Sequence, residues 1–343
     1  MNQENKDILL RLLRQHQALG INEQIDYEKF YLYSIITHST AIEGSTVTEV
    51  EAQLLFDEGI TSSKRTLQEQ MMNLDLKAAY EYGMEWIKRH EDITVDWLIT
   101  LAAKVMARTG AEYHSMGGDF SAAKGELRKL NVTAGLGGKS YVSYLKVPQK
   151  LEEFCKELNA RRKAIDSTDI IAIYELSFWA HYELVTIHPW ADGNGRTSRL
   201  LMNLLQMEYG VLPTKVLKED KAEYIQALID TREQEDVNIF VDCMTRLHCD
   251  HLKHDIEMYE SSTNTEKGGQ ETEKVDRKGG QKTRSAIIGL ISANPHITTT
   301  QMAESLGINR SALSKHLARM QKESVIAHIG PAKGGHWEVL ISK

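Results

Sequence analysis

The stretch His188-Pro189-Trp190-Ala191-Asp192-Gly193-Asn194-Gly195-Arg196-Thr197-Ser198-Arg199 decides how this chain is read. Before it, Ile173, Leu176, Ala180 and Leu184 recur at helical spacing; after it, Arg196 to Tyr209 put Leu200, Leu201, Leu204 and Leu205 on one inward face. A glycine-rich loop therefore opens a helix. Such a loop turns backbone N–H groups and the positive end of a helix dipole toward one point, a ready anion site. Glycine lets the backbone of Gly193, Asn194 and Gly195 come close to a phosphate. Arg196 and Arg199, three residues apart in the first turn, reach phosphate oxygens on the same side. Asp192 is a hard oxygen ligand suited to Mg²⁺, which takes one or two carboxylates with substrate phosphates. His188 is a natural general base near neutral pH.

Around this centre the composition is that of a globular protein: 343 residues, 41% hydrophobic and 26% charged, enough for two or three domains. No apolar run is long enough to cross a bilayer, so no membrane partner is expected. The first residues break their apolar positions with charge and lack a signal-peptide core. Cys155, Cys243 and Cys249 show no C-x-x-C spacing, and a reducing cytoplasm is the expected compartment. The net charge of -7 argues against broad nucleic-acid binding by the whole chain.

Most of the sequence reads as helix. Leu67, Met71, Leu74 and Ala78 form a second apolar stripe, and Thr48 with Glu51 has capping-box spacing. The interval from Leu130 to Val147 differs, because Asn131-Val132-Thr133 and Tyr141-Val142-Ser143-Tyr144-Leu145 flank Gly135, Gly137 and Gly138, the signature of a hairpin. Within it, Thr133 to Ser140 nearly matches the phosphate loop G-x-x-x-x-G-K-[ST]. Thr133 replaces the first glycine, though, and alternating residues ending at Pro148 follow instead of a helix, so a turn is expected.

From Ser261 the chain turns polar, with two Gly-Gly pairs, and residues 261–282 read as a linker. Beyond it, Thr299 to Gln321 reads helix, turn, helix, with Ala303 as the small packing residue and Gly307 at the turn. Val325 to Ile329 and Trp337 to Leu340 then flank a glycine-rich loop, as in a two-stranded wing. Seven basic side chains, Arg284, Arg310, Lys315, Arg319, Lys322, Lys333 and Lys343, face only Glu304, Glu323 and Glu338, which permits DNA contact through 283–343. Protein recognition is the competing use of the same domain.

The stretch 188–199 resembles the Fic family signature H-x-F-x-[DE]-G-N-G-R-x-x-R, with Trp190 in place of the aromatic Phe, and the similarity covers roughly residues 93 to 260. The resemblance implies a mainly α fold: a Fic-type helical bundle with a β-hairpin flap, plus a small α+β winged-helix domain. The expected division is an amino-terminal helical region over 1–92, a catalytic core over 93–260, the linker, and the winged helix over 283–343. It also implies transfer of a nucleotide monophosphate, usually AMP from ATP, to a Tyr, Thr or Ser hydroxyl of a protein. His188 would be the base and Asp192 would hold Mg²⁺. Gly193, Asn194, Gly195, Arg196 and Arg199 would bind phosphate, and flap residues Lys139, Ser140, Tyr141 and Val142 would hold the target by strand addition. Other members transfer UMP, GMP, phosphate or phosphocholine, and the motif does not choose among them.

Upstream, Ser39-Thr40-Ala41-Ile42-Glu43-Gly44 resembles the family's inhibitory motif [ST]-x-x-x-E-[GN]. A carboxylate at Glu43 would pair with Arg199 and deny it to the γ phosphate. Self-modification, removal of AMP and a homodimer stay open. So does a rival reading in which the chain is a DNA-binding regulator whose Fic body senses nucleotide. Cys243, His248, Cys249, His251 and His254 crowd one helical stretch, but a single helix does not converge four zinc ligands, and they are expected as partly exposed helix residues. His181 is expected as a hydrogen-bonded core histidine.

Overall fold

A computed structural model describes residues 1–134 and 139–267 and, beyond them, parts of 287–340. Its first compact unit runs from Met1 to Ser261 and the second from Ser262 to Lys343. The first contains ten α-helices among the described residues: α1 Gln3–Ala18, α2 Tyr27–Ile42, α3 Glu49–Glu58, α4 Leu67–Ile87, α5 Val95–Val105, α6 Val147–Ala164, α7 Ile170–Ile187, α8 Asn194–Glu208, α9 Lys221–Gln234 and α10 Val237–Lys267. A two-stranded ribbon, β1 Glu112–Tyr113 against β2 Phe120–Ser121, interrupts them. The mainly α class expected from periodicity is what is found. No helix among the described residues is long and apolar enough to cross a membrane.

The antiparallel pair α7 and α8 forms the centre. Helix α7 is buried on every side, with Ile173, Leu176, Ala180 and Leu184 joined by Tyr174, Phe178 and His181, as a helix enclosed by others must be. One hydrophobic cluster packs α2, α4, α5 and α6 around this pair, and a second packs α1, α9 and α10 against its remaining face.

Helix α4 departs from the expected stripe. Leu67 is exposed, and the buried line is instead Met72, Leu76, Ala79, Tyr80, Gly83 and Ile87. Packing against α8 decides this: a Cβ at Gly83 would lie 2.4 Å from Leu204 Cδ1, and the Tyr80 hydroxyl donates to Asn203 Oδ1 at 2.6 Å. The capping box at Thr48 and Glu51 is present, and Thr66 with Glu69 forms another at the start of α4.

The region expected to be a hairpin contains one antiparallel bridge, Thr133 to Ser140; the turn glycines Gly135, Gly137 and Gly138 lie outside the described residues. Pro148 sits in the first turn of α6 and so starts a helix there, where its missing N–H costs nothing. Helix α10 continues to Lys267, into the stretch expected as a linker, and residues 268–282 of that stretch lie outside the described residues. In the second unit, α11 Thr299–Leu306 and the antiparallel pair β3 Ile326–Ile329 and β4 His336–Val339 surround a small core of Ile287, Ile291, Met302, Leu313, Leu317 and Trp337. Gly307 and the basic residues Arg284, Arg310, Lys315, Arg319, Lys322, Lys333 and Lys343 lie outside the described residues.

Candidate active site

The loop between α7 and α8 is fixed by its own side chains. Helix α7 ends when His188 takes a left-handed conformation, φ 51° and ψ 62°, and Gly193 at φ 83° caps the start of α8. Between them, Asn194 bonds the loop across itself: its Oδ1 accepts from Trp190 N at 3.1 Å and its Nδ2 donates to Trp190 O at 2.9 Å. Trp190 is buried, and its Nε1 donates to Gly125 O at 2.9 Å. Gly125, at φ 68°, is itself packed so closely that a Cβ would lie 2.1 Å from Ile99 O. The indole N–H thus anchors the loop through a bond that phenylalanine at this position would lack.

His188 lies under the flap. Its ring stacks on Tyr141 with centroids 4.0 Å apart and planes 19° apart. Nδ1 is 3.2 Å from Val185 O, and a carbonyl only accepts, so the hydrogen sits on Nδ1 and the lone pair on Nε2. Burial pushes the ring's pKa down to about 4, with the nearby Arg128 and Arg232 charges acting the same way and the Val185 carbonyl opposing them. The imidazole is therefore neutral, in the form that takes up a proton, across the neutral pH range.

Arg196 and Arg199 are both buried but differ in their partners. Arg196 Nη2 contacts Met106 Sδ at 3.0 Å and Asp192 Oδ1 at 3.4 Å, while its Nε and Nη1 are buried with no hydrogen-bond partner among the described residues. Donors left unpaired in a dry site are costly, and an anion would satisfy them. Asp192 remains 55% exposed; one oxygen accepts from Gly193 N at 2.5 Å, and the carboxylate stands at the mouth of the α8 amides. A single exposed carboxylate beside the unpaired donors of Arg196 fits the oxygen donor set that Mg²⁺ takes with substrate phosphates. The amides of Asn194 and Gly195 lie in the first helical turn, where no helix carbonyl is in reach.

Arg199, by contrast, is saturated. Its Nε donates to Ser39 Oγ at 2.9 Å, and Nη2 donates to Ser39 O at 3.0 Å and to Glu43 Oε1 at 2.6 Å. Nη1 reaches the Tyr224 hydroxyl at 3.4 Å, which in turn lies 3.0 Å from His181 Nε2. Glu43 caps the end of α2, and Gly44 follows it at φ 104°. Burial alone would raise the Glu43 pKa, but the Arg199 charge and hydrogen bond outweigh it and hold the carboxyl below its usual range. Gly195 makes room: a Cβ there would stand 2.7 Å from Glu43 Oε1. The Ser39 to Gly44 stretch and the loop before α8 thus meet at residues far apart in sequence.

Residues 92–206 match the Fic/DOC family model, and they include the whole loop. The chain carries a Fic domain. Over 203 residues it is 29% identical to protein adenylyltransferase fic-1 of Caenorhabditis elegans, covering 59% of this chain and 36% of that protein. Over 196 residues it is 31% identical to protein adenylyltransferase Fic of Nematostella vectensis, covering 56% and 42%. The chain therefore spans less than half the length of these curated relatives. Its fold is similar to that of a Fic domain containing signaling protein from Bacteroides thetaiotaomicron, with a TM-score of 0.59 and 20% identity over 74% of this chain and 98% of that one. Residues 281–327 match a winged helix-turn-helix DNA-binding model.

The structure brings His188, Asp192, Gly193 to Gly195, Arg196 and Arg199 of the Fic domain to one place, with Ser39 and Glu43 against Arg199 and Tyr141 against His188. Sequence reading missed two arginines. Arg128, almost wholly buried, donates from Nε to His188 O at 2.7 Å, from Nη1 to Leu130 O at 2.7 Å and from Nη2 to Val142 O at short range, and its own N–H bonds Pro189 O at 3.0 Å. It clasps the base of the flap to the loop between α7 and α8. Arg232, on α9, holds the flap further out. Neither sits in a short motif, so spacing carried no signal for them.

Among the described residues no cluster fits a zinc ion. Two of the three α10 histidines are not partly exposed as expected: His248 and His251 are buried, bonded to the Tyr174 hydroxyl at 3.0 Å and to Asp220 Oδ2 at 2.8 Å, while His254 is exposed. His181 is the core histidine that was expected.

Proposed function

We propose that this protein moves AMP from ATP onto a Tyr, Thr or Ser hydroxyl of a protein target, and that Glu43 holds the reaction down. The observation that carries the reading is the contrast within one helical turn. Arg196 has buried, unpaired N–H groups aimed into the anion loop, while Glu43 occupies Arg199.

In the reaction, His188 Nε2 takes the proton of the target hydroxyl, whose oxygen bonds to the α phosphorus as the bond to the leaving pyrophosphate breaks. The first-turn amides and Arg196 bind the phosphates and neutralise charge as it redistributes. Asp192 would hold Mg²⁺, which when bound offsets negative charge on the α and β phosphates. With Arg199 paired to Glu43, the triphosphate lacks one charge-assisted contact and sits out of line for attack. Four features support the reading: the Fic match, the adenylyltransferase names of the relatives, the neutral buried base and the Glu43 to Arg199 contact.

The test is Glu43→Gly incubated with ATP labelled at the α phosphate. Label entering protein about 10- to 100-fold faster than in the wild type is expected, the worth of one charge-assisted hydrogen bond. Equal rates would remove the brake, and no labelling by either protein, with any hydroxyl-bearing target, would remove the transferase. The winged helix-turn-helix match supports a second use, duplex DNA contact through 283–343. Salt-sensitive retention of the chain on duplex DNA tests it.

A further inference from the structure

The flap has an open edge, and its hydrogen-bond pattern tells which groups face it. Thr133 and Ser140 form an antiparallel bridge closed by Ala134 N to Lys139 O at 3.2 Å and Tyr141 N to Val132 O at 3.0 Å. These bonds flank the pair instead of joining it. The N–H and C=O of Ser140 therefore point away from the hairpin, toward the edge where another strand would add.

That carbonyl is already taken. Arg232 Nη2 donates to Ser140 O, and Nη1 donates to Lys139 O at 3.3 Å. The same guanidinium lies 4.8 Å from the centre of the Tyr141 ring, which stacks on the base His188. Its partners among the described residues are thus two neutral carbonyls and an aromatic ring, with no carboxylate. A half-buried guanidinium without a counter-ion gains by exchanging neutral acceptors for a carboxylate, which it binds with two parallel, charge-assisted bonds.

We propose that Arg232 is a specificity-determining residue for the transfer: it selects target segments that carry Asp or Glu beside the hydroxyl residue. The target carboxylate draws the guanidinium off Ser140, the flap edge opens for strand addition, and the neighbouring hydroxyl comes to rest at His188. A target without that carboxylate meets an edge that stays capped. The inference rests on the transferase reading for its substrate, while the contacts of Arg232 stand without it.

The test uses the full chain carrying Glu43→Gly and short extended peptides with one Tyr flanked on both sides by Glu, Gln or Lys. Binding is read by fluorescence anisotropy and AMP transfer by mass spectrometry. Expected are binding and kcat/KM at least roughly ten-fold higher for the Glu peptide than for the Gln peptide. Arg232→Ala should abolish the preference and bring the Gln peptide up, since nothing then caps Ser140. Arg232→Glu should turn the preference toward the Lys peptide. Binding that ignores flanking charge, or a Glu preference that survives Arg232→Glu in a variant with unchanged thermal unfolding, overturns the proposal. A charge preference in binding that follows residue 232, with no AMP transferred to any peptide, would uphold Arg232 as the selector and reject the transferase reading.

Discussion

The loop between α7 and α8 and the flap meet at His188, yet they are held differently. The loop of residues 188–199 is tied across the turn by Asn194 on Trp190 and anchored to the core by the buried Trp190 ring, whose N–H is on Gly125 O, and by Arg128 on His188 O and Pro189 O. The flap is held by Arg128 on Leu130 O and Val142 O and by Arg232 on Lys139 O and Ser140 O, with one bridge of its own among the described residues. A phosphate site must keep its donors in fixed positions before the nucleotide arrives, because preorganisation is what stabilises the transition state. A docking edge must release its partners when a target strand comes. Under the proposed function, the buried anchors of the loop serve the first need and the exchangeable contacts of Arg232 serve the second.

The largest effect that would test this division is at the loop's first residue. His188→Ala should cut AMP transfer by about 10²- to 10⁴-fold while nucleotide binding, followed by calorimetry, stays near wild type. Retained transfer would mean that the loop positions phosphate but supplies no base.

Next comes the anchor. Trp190→Ala should lower the stability of the Fic domain by about 3–5 kcal/mol in urea unfolding, through lost packing and a cavity. Tyr141→Ala, at a comparable aromatic in the flap, should change unfolding by less than about 1 kcal/mol, as expected for a half-buried side chain away from the core. Equal losses at the two positions would erase the distinction between them.

A pH profile sharpens the comparison at the point where the two segments touch. His188 has its pKa near 4 in the fold, against about 6.5 for an unfolded histidine. Activity should therefore hold from pH 7 down through pH 5.5 and fall only toward pH 4. Between 6.5 and 4 the unfolded chain binds the extra proton, so folding stability should drop as pH falls through that window. Tyr141→Ala admits water to the ring and should move the acid limb of kcat/KM upward. A limb that stays put would show that the flap does not set the base.

A finer probe of the loop's anchor is Trp190→Phe. It keeps the aromatic packing and removes only the bond to Gly125 O, a loss of about 1 kcal/mol. A loss as large as that of Trp190→Ala would mean that the indole N–H matters more to the loop than its packing does.

The sequence by itself determined what depends on neighbours in the chain. That a glycine-rich loop opens a helix and gathers His188, Asp192, Arg196 and Arg199 was legible, because residues at fixed spacing need only one loop and one helical turn to converge. Helix content, the capping box at Thr48 and the apolar face of α7 followed from periodicity for the same reason. The tertiary structure decided the rest. Which face of α4 is buried depends on the close approach of Gly83 to Leu204 on α8. The opposite states of Arg196 and Arg199 depend on α2 bringing Ser39 and Glu43 across more than 150 residues of chain to one guanidinium and not the other. The roles of Arg128 and Arg232 depend on flap carbonyls, which every residue possesses and no motif records. Side chains that bond to backbone leave no trace in residue type at the acceptor, so the arginines that hold the flap could be found only once the chain was folded.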